Sequence, residues 1–346
     1  MEIKLYIFNF CSEITIIFKD DPSISIIKRL LKLFGDLVSM YSNIFHLLDI
    51  FAKSIEAGDQ SLRVASTLDE HFLRRTLVRI EKVPRFRGAD IILTDMNALS
   101  KNLLLELIEK LSNNSLMMVL NAIIGINLWP ELAKELNIRG FIRSLLPIDN
   151  GIGLFIRRGY GVDFFRKTVE VYRKSFIYGP NPIDYNTAYT LYSLAKFLTA
   201  RRRGVIVEVG TGRGFSTLWL VHAAKETNSY VISIDNKCDR VDYTKNVLKN
   251  LNLEDHVEIL CTDAKNYDRG SKDIVYVFID GKKDEYHLYL EALEPYLLPG
   301  ALILAHNTLS DAHVIKPYIE KVYRKPYKSI TIATDPKGLT ISVYMK

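Results

Sequence analysis

The stretch Val205-Ile-Val-Glu-Val-Gly-Thr-Gly-Arg-Gly-Phe-Ser-Thr-Leu-Trp-Leu220 constrains the chain more than any other. Val205, Ile206, Val207 and Val209, interrupted only by Glu208, form a β-run. It ends in Gly210, Gly212 and Gly214, and an apolar helix-like segment follows. Strand, glycine turn and helix in that order bring a ligand close to the backbone, with free N–H groups at the helix start facing it. Spacing removes two nucleotide chemistries. A dinucleotide fingerprint begun at Gly210 needs glycine at 215, where Phe215 stands, and no lysine follows Gly214 to make a phosphate loop. The pattern left is E-x-G-x-G-x-G.

The segments after it alternate in the doubly wound manner. Strands are expected at Val205–Val209, Tyr230–Asp235, His256–Cys261, Asp273–Asp280 and Ala301–Ala305. Helices are expected at Phe215–Lys225, near Asp239–Leu251, Asp284–Tyr296 and Val314–Tyr323. A hairpin, Ser329–Ala333 with Leu339–Met345, turns at Asp335-Pro-Lys-Gly338. Three strand ends carry acids, Asp235, Asp263 just after the third strand, and Asp280. A carboxylate at the end of the second strand, Asp235, can accept hydrogen bonds from ribose hydroxyls. Asp263 is placed to meet an adenine amino group. Ser216 offers a hydroxyl near the turn, and Glu208 is expected to orient the turn or the ligand's amino group.

The N-terminal half repeats the rhythm. Without a gap, the strand ending at Asp95 aligns with the one ending at Asp280, Leu103 with Leu288, Glu106 with Glu291 and Asn121 with His306. Pro147–Ile156 then reads as a hairpin like that around Gly338. Phe45–Asp49 stands in place of the second strand and Ile14–Phe18 in place of the first. Lys19-Asp-Asp-Pro22 would be the turn, with no glycine. The expected architecture is a doubly wound Rossmann-like domain over 159–346 with an N-terminal linking helix, preceded over 1–158 by a degenerate copy of the same fold without the glycine loop.

Asp280-Gly-Lys-Lys283-Asp-Glu-Tyr286, followed by Leu290-Glu-Ala-Leu-Glu-Pro-Tyr-Leu-Leu-Pro-Gly-Ala-Leu-Ile-Leu304, resembles the catechol O-methyltransferase-like branch of class I methyltransferases. Gly212–Leu220 and Asn252–Ile259 resemble it too, so the likeness covers about residues 178–346. It implies S-adenosylmethionine as cofactor, with Glu208, Gly210, Gly212, Gly214, Ser216, Asp235, Asp263 and Asp280 around it. The resemblance also makes Asp280 a ligand of a divalent metal, usually magnesium, and Lys283 the group that takes the acceptor's proton. In that family an Asp-Asn pair completes the metal site; here it reads His306-Asn307. Exchanging a carboxylate for imidazole removes a negative charge and favours softer metals. Either Asp280, His306 and Asn307 hold a transition metal, or the site is metal-free with His306 as general base. Tyr178, Tyr185, Tyr286 and Trp219 are candidates to shape the acceptor pocket.

The expected activity is O-methylation of a small hydroxylated acceptor. Two other readings stand beside it. From Arg139 to Arg203 twelve Lys or Arg face four acids, a basic stretch able to attract nucleic acid, with RNA as acceptor. Alternatively, the C-terminal half binds the cofactor without catalysis, as a scaffold. Cys11, Cys238 and Cys261 fit neither a disulfide framework nor metal spacing and are expected to be unpaired. MEIKLYIFNF lacks a basic region ahead of a long apolar run. No membrane partner, a cytoplasmic location and a homodimer, its usual surface open to capture by the N-terminal half, complete the expectations.

Overall fold

Two sheets of largely parallel strands face one another across a layer of helices. The computed structural model describes residues 2–6, 13–17, 42–57, 64–66, 80–82, 90–96, 101–123, 129–268 and 273–346. In the N-terminal half the elements are β1 (Glu2–Tyr6), β2 (Glu13–Ile17), α1 (Ser42–Glu56), β3 (Val64–Ser66), β4 (Ile80–Lys82), β5 (Ile91–Asp95), α2 (Lys101–Lys110), β6 (Leu116–Leu120), α3 (Trp129–Ile138), β7 (Phe141–Leu146) and β8 (Ile152–Arg157). Then come α4 (Val162–Tyr178), α5 (Tyr185–Thr199), β9 (Val205–Val209), α6 (Phe215–Thr227), β10 (Tyr230–Asp235), α7 (Cys238–Lys249) and β11 (Val257–Cys261). The chain closes with β12 (Ile274–Ile279), α8 (Tyr286–Leu293), β13 (Leu297–His306), α9 (Lys316–Val322), β14 (Tyr327–Ile332) and β15 (Leu339–Tyr344).

The C-terminal sheet runs β11-β10-β9-β12-β13-β15-β14, parallel except for the last hairpin. Its strand order reverses at β9, beside β12, which is where open α/β sheets leave a crevice at the carboxyl ends of their strands. The N-terminal sheet runs β4-β3-β5-β6-β8-β7, again parallel except for the last hairpin. Strand for strand, that is the order β10-β9-β12-β13-β15-β14.

Two expectations about the first 100 residues are corrected. Glu13–Ile17 pairs antiparallel with Glu2–Tyr6 in a two-stranded ribbon, and does not enter the larger sheet. Phe45–Asp49 lies inside α1. Its neighbours Ile44, Leu47, Leu48, Phe51 and Ile55 are buried at helical spacing, so a short apolar run read as strand was one face of a helix. The strand beside β5 is Val64–Ser66. The Lys19–Pro22 turn lies outside the described residues, but residues 67–79, which follow that strand, also contain no glycine.

Strand residues alternate between two sides, and the cores follow that alternation. On the outer side of the C-terminal sheet, Val207, Ile234, Val277 and Ile303 pack against Tyr286 and Leu290 of α8 and Tyr318 of α9. On the outer side of the N-terminal sheet, Ile92, Met117 and Phe155 meet Leu107 of α2 and Leu136 of α3. Between the sheets lies one continuous core, from Leu93, Met118 and Leu154 through α1 and α5 to Phe278, Leu304 and Ile341. Helix α5 contacts β7 and β8 on one side and β12 and α6 on the other, so the linking helix serves both halves, while α1 lies on β13, β14 and β15. The sequence explains why α5 tolerates this. Leu191, Tyr192, Leu194, Ala195, Phe197 and Leu198 are all buried, and a helix apolar all round belongs between two layers.

Part of the basic stretch is spent on this junction. Arg201 pairs with Asp90 at 2.9 Å and donates to the Asn114 carbonyl. Arg202 donates to the carbonyls of Ser54 and Pro299, and Lys196 to that of Arg157 and to Glu226. Farther out, Lys167 and Lys174 pair with Glu170 and Arg139 with Glu135. The expectation of unpaired cysteines is also corrected. Cys238 and Cys261 form a disulfide, their Cα atoms 5.2 Å apart. Only the register explains it: Asp235 of β10 sits beside Cys261 of β11, and Cys238 follows three residues later. Cys11 lies outside the described residues. Among them, no helix is long and apolar enough to cross a membrane.

Candidate active site

At the carboxyl ends of β9, β10 and β12 lies a cavity of about 600 Å³, a size suited to a nucleoside-type ligand. Gly210, Gly212, Ser216, Asp235, Asp263, Asp280, Lys283 and Asn307 line it, with Pro180–Ile183 as a further wall. Backbone geometry demands glycine here. Gly210 has φ +100°, and a Cβ on it would lie 2.5 Å from the Asp280 carbonyl oxygen, so any side chain would push β9 away from β12. Gly212 has φ +52°, and its missing Cβ faces only Pro180, 3.1 Å away. A backbone without side chains on this side is a cradle that a bound ligand can approach closely. Gly214, at φ +85°, forms the N-cap of α6.

Several acids here hold the cradle itself. Glu208 is fully buried and accepts hydrogen bonds from Ser216 (2.5 Å), Thr217 (2.6 Å) and Ser233 (2.5 Å). Burial pushes its carboxyl up to about 7 against the pull of those hydroxyls. Glu208 therefore ties the turn to α6 and β10, and Ser216, although it lines the cavity, spends its proton on Glu208. Asp235 accepts the Gly212 N–H (2.8 Å) on one oxygen and the Lys237 N–H (2.9 Å) on the other. Asp263 accepts the Lys265 N–H and pairs with its ammonium at 3.2 Å. Arg213 donates to the Gly179 carbonyl, fastening the glycine turn to the wall that begins at Pro180.

The opposite end of the cavity is charged. Lys283 Nζ stands 2.6 Å from Asp280 Oδ1 and 2.9 Å from the Tyr286 hydroxyl. On the second Asp280 oxygen lies His306, with Nδ1 at 3.5 Å. The other ring nitrogen, Nε2, is 2.8 Å from Asp335 Oδ2. Burial alone would lower the His306 pKa, but the Asp280 and Asp335 carboxylates outweigh it and raise it to about 9. The same pairing acts on the acids. Burial favours the neutral form of Asp280, yet Lys283 and His306 hold it well below the usual carboxylate range.

His306 is 1% exposed and is not one of the cavity-lining residues; it lies beneath Asp280. Asn307 does line the cavity, and its amide donates to Asp311. A divalent metal is a poor fit to this arrangement. Lys283 is bound to one oxygen of Asp280, His306 turns its nitrogens to two carboxylates, and Asp311, the acid beside Asn307, already accepts the Asn307 amide and the Ser310 hydroxyl. Among the described residues no group of three or more His, Cys, Asp or Glu is arranged to hold a metal ion.

Of the candidate aromatics, Trp219 is fully buried against Tyr160, Phe164, Tyr189 and Tyr192, away from the cavity. Tyr185 packs on Phe215 and Tyr172, and Tyr178 is exposed. Tyr286 contributes its hydroxyl to Lys283, whereas Tyr289 is the tyrosine that lines the cavity. Sequence reasoning missed Asp335, which was read only as part of a turn. Its sole sequence signal is the Asp-Pro-Lys-Gly pattern; the 29-residue separation from His306 is closed by the register of His306 with Leu339.

Residues 207–308 match the family model described as a methyltransferase domain. That part of the chain is similar to methyltransferase domains, and it contains the glycine turn and strands β10 to β12. Solved structures similar to this chain include an SAH-bound methyltransferase from Podospora anserina, at 15% identity over 52% of this chain and 88% of that one, with a TM-score of 0.46. An O-methyltransferase from Bacillus cereus in complex with SAH is 17% identical over 54% and 92%, at 0.45. The O-methyltransferase TomG of Streptomyces achromogenes, in complex with SAM, is 19% identical over 54% and 92%, at 0.47.

Proposed function

We propose that the C-terminal half moves a methyl group from S-adenosylmethionine to the oxygen of a small hydroxylated acceptor. The observation that carries this reading is the shared cavity. The side-chain-free glycine turn stands at one end, and Lys283, 2.6 Å from Asp280, at the other. Gly210, Gly212 and Gly214 form the cradle for the cofactor, with Asp235 toward its ribose and Asp263 toward its adenine. Glu208 and Ser216 keep the turn in shape. When bound, S-adenosylmethionine supplies a methyl group on a cationic sulfur, which leaves as a neutral sulfide once an oxygen has attacked in line.

The chain's own work is then to hold an acceptor hydroxyl and take its proton. Lys283, as the neutral amine, accepts that proton and becomes an ammonium beside Asp280, so charge separation at the acceptor is compensated within 2.6 Å. Asn307 and Tyr289 line the same space and are placed to orient the acceptor. We also infer that the N-terminal half is a copy of the same fold without the glycine loop. The matching strand orders and the glycine-free segment after β3 support this, and the half's role is then to cover the inner face of the working domain.

Calorimetry with S-adenosylhomocysteine on the wild-type protein and on Gly212→Trp tests the cofactor site. The wild type is expected to bind and the variant, whose indole fills the cradle, to show no binding. Equal binding by both would refute this placement. Transfer of a labelled methyl group to a panel of phenols and catechols tests the acceptor class.

A further inference from the structure

Resting on that reading, we propose that this site transfers the methyl group without a divalent cation, because His306, held between Asp280 and Asp335, supplies from below the positive charge that a metal would supply from within the cavity. The geometry has three parts. First, both oxygens of Asp280 already face cationic side chains, Lys283 Nζ at 2.6 Å and His306 Nδ1 at 3.5 Å. An ion on Asp280 would have to share these oxygens with a lysine and a histidine. Second, His306 is closed off from the cavity, at 1% exposure. Its ring cannot turn outward without giving up Asp335. Third, Asp335 is itself fixed. Thr187 Oγ1 donates to it at 2.8 Å, as do the backbone N–H groups of Lys337 (2.8 Å) and Gly338 (3.2 Å).

Nε2 meets Asp335 at hydrogen-bond distance and Nδ1 lies 3.5 Å from Asp280 without a hydrogen bond, so the ring stands between two carboxylates, and both favour its cationic form. The line Asp335, His306, Asp280, Lys283 alternates in sign from the hairpin turn to the cavity. Its use follows from the proton transfer. In the reacting state Lys283 is neutral, and Asp280 would then be a carboxylate with no counter-charge at the cavity wall. His306 remains beneath it and keeps it compensated, so Asp280 can still hold and direct Lys283. His306 and Asp335 are thus positioning residues. Neither touches the acceptor, and both act through Asp280.

The test needs no acceptor. Mn²⁺ is titrated into the SAH-loaded full chain and followed by calorimetry and by the loss of the free-ion electron paramagnetic resonance signal, in wild type, Asp280→Asn and His306→Asp. The wild type is expected to bind no Mn²⁺ in the micromolar range. His306→Asp, which replaces the cation with a second carboxylate beside Asp280 and Asn307, is expected to gain a one-to-one site at least tenfold tighter than anything in the wild type. One micromolar Mn²⁺ per wild-type chain, abolished in Asp280→Asn, would overturn the proposal. So would a folded His306→Asp that stays free of Mn²⁺, since the histidine would not then be standing in for a metal. If His306→Asp does not fold, the wild type and Asp280→Asn still decide between the two outcomes. S-adenosylhomocysteine titrated in the same samples reports separately on the cofactor reading.

Discussion

At the carboxyl end of β5, Asp95 accepts a hydrogen bond from the Asn121 amide, whose oxygen is held in turn by Asn150 at 3.0 Å. At the carboxyl end of β12, Asp280 faces Lys283 and His306 instead. The ladders make the correspondence explicit. Asp95 lies beside Leu120, and Ile279 beside Ala305, so His306 occupies the place of Leu120 and Asn307 that of Asn121. This shifts by one residue the ungapped alignment that set Asn121 against His306. Backbone conformation agrees, since Asn121 and Asn307 both have positive φ, 56° and 62°. One frame therefore carries two electrostatic designs. At the N-terminal end an amide donates to the acid. Where cations do so, the C-terminal end keeps charge facing a cavity, and charge facing a cavity can act on a substrate.

The largest effect should come from removing the cation that faces the cavity. Lys283→Met is expected to lower the methyl-transfer rate by about 10²-fold or more while leaving SAH affinity within about threefold. The matching change at the other end, Asp95→Asn, should leave the rate within about twofold; a comparable loss there would break the contrast. Next is the core the two halves share. Phe197 of α5 packs near Phe51 of α1, ring centres 6.1 Å apart, and Phe197→Ala should cost about 3–5 kcal/mol. Thermal unfolding should remain one transition, and two separated transitions would show that the halves are independent.

The buried imidazole gives a pH signature that no neutral amide can. The folded protein holds the His306 proton to about 9, the unfolded chain only to 6.5. Its stabilisation is therefore complete below about pH 6.5 and disappears as pH rises to about 9, a loss of about 3 kcal/mol. Denaturant titrations across that range should show the slope, and His306→Asn should flatten it. The smallest effect concerns the other hairpin turn. Asp149 accepts the Ile44 N–H at the start of α1 and the Asn43 amide, so Asp149→Ala should cost about 1 kcal/mol in denaturant midpoint, as loss of a helix cap does. Asp335→Ala should cost more, because that aspartate also holds His306.

The glycine turn and the five parallel strands around it were legible because each is local. β-branched runs, a spacing of glycines and acids at strand ends all fall within a few residues of one another. Val205–Val209 and Tyr230–Asp235 have the predicted ends. What sequence could not supply was pairing. Glu13–Ile17 has a good strand composition but forms its own ribbon, while the strand that enters the sheet, Val64–Ser66, is three residues long and has no pattern to detect. The disulfide and the His306–Asp335 contact both depend on register between strands far apart in the chain. Lys283 was readable as a chemical group, but His306 was read as cavity-facing because a histidine after a strand does not announce which side of the sheet edge it takes.

Helix α1, from the first half of the chain, lies on β13, β14 and β15 of the second. A protein of this kind cannot be traded as modules. A chain begun at Gly159 would keep the glycine turn, Lys283 and Asp335, yet Leu304, Ile332, Ile341 and Val343, all in the shared core, would lose that cover. Such a fragment would carry the proposed site on an adhesive object. Once one half of a chain roofs the other in this way, having no glycine turn of its own does not make it dispensable.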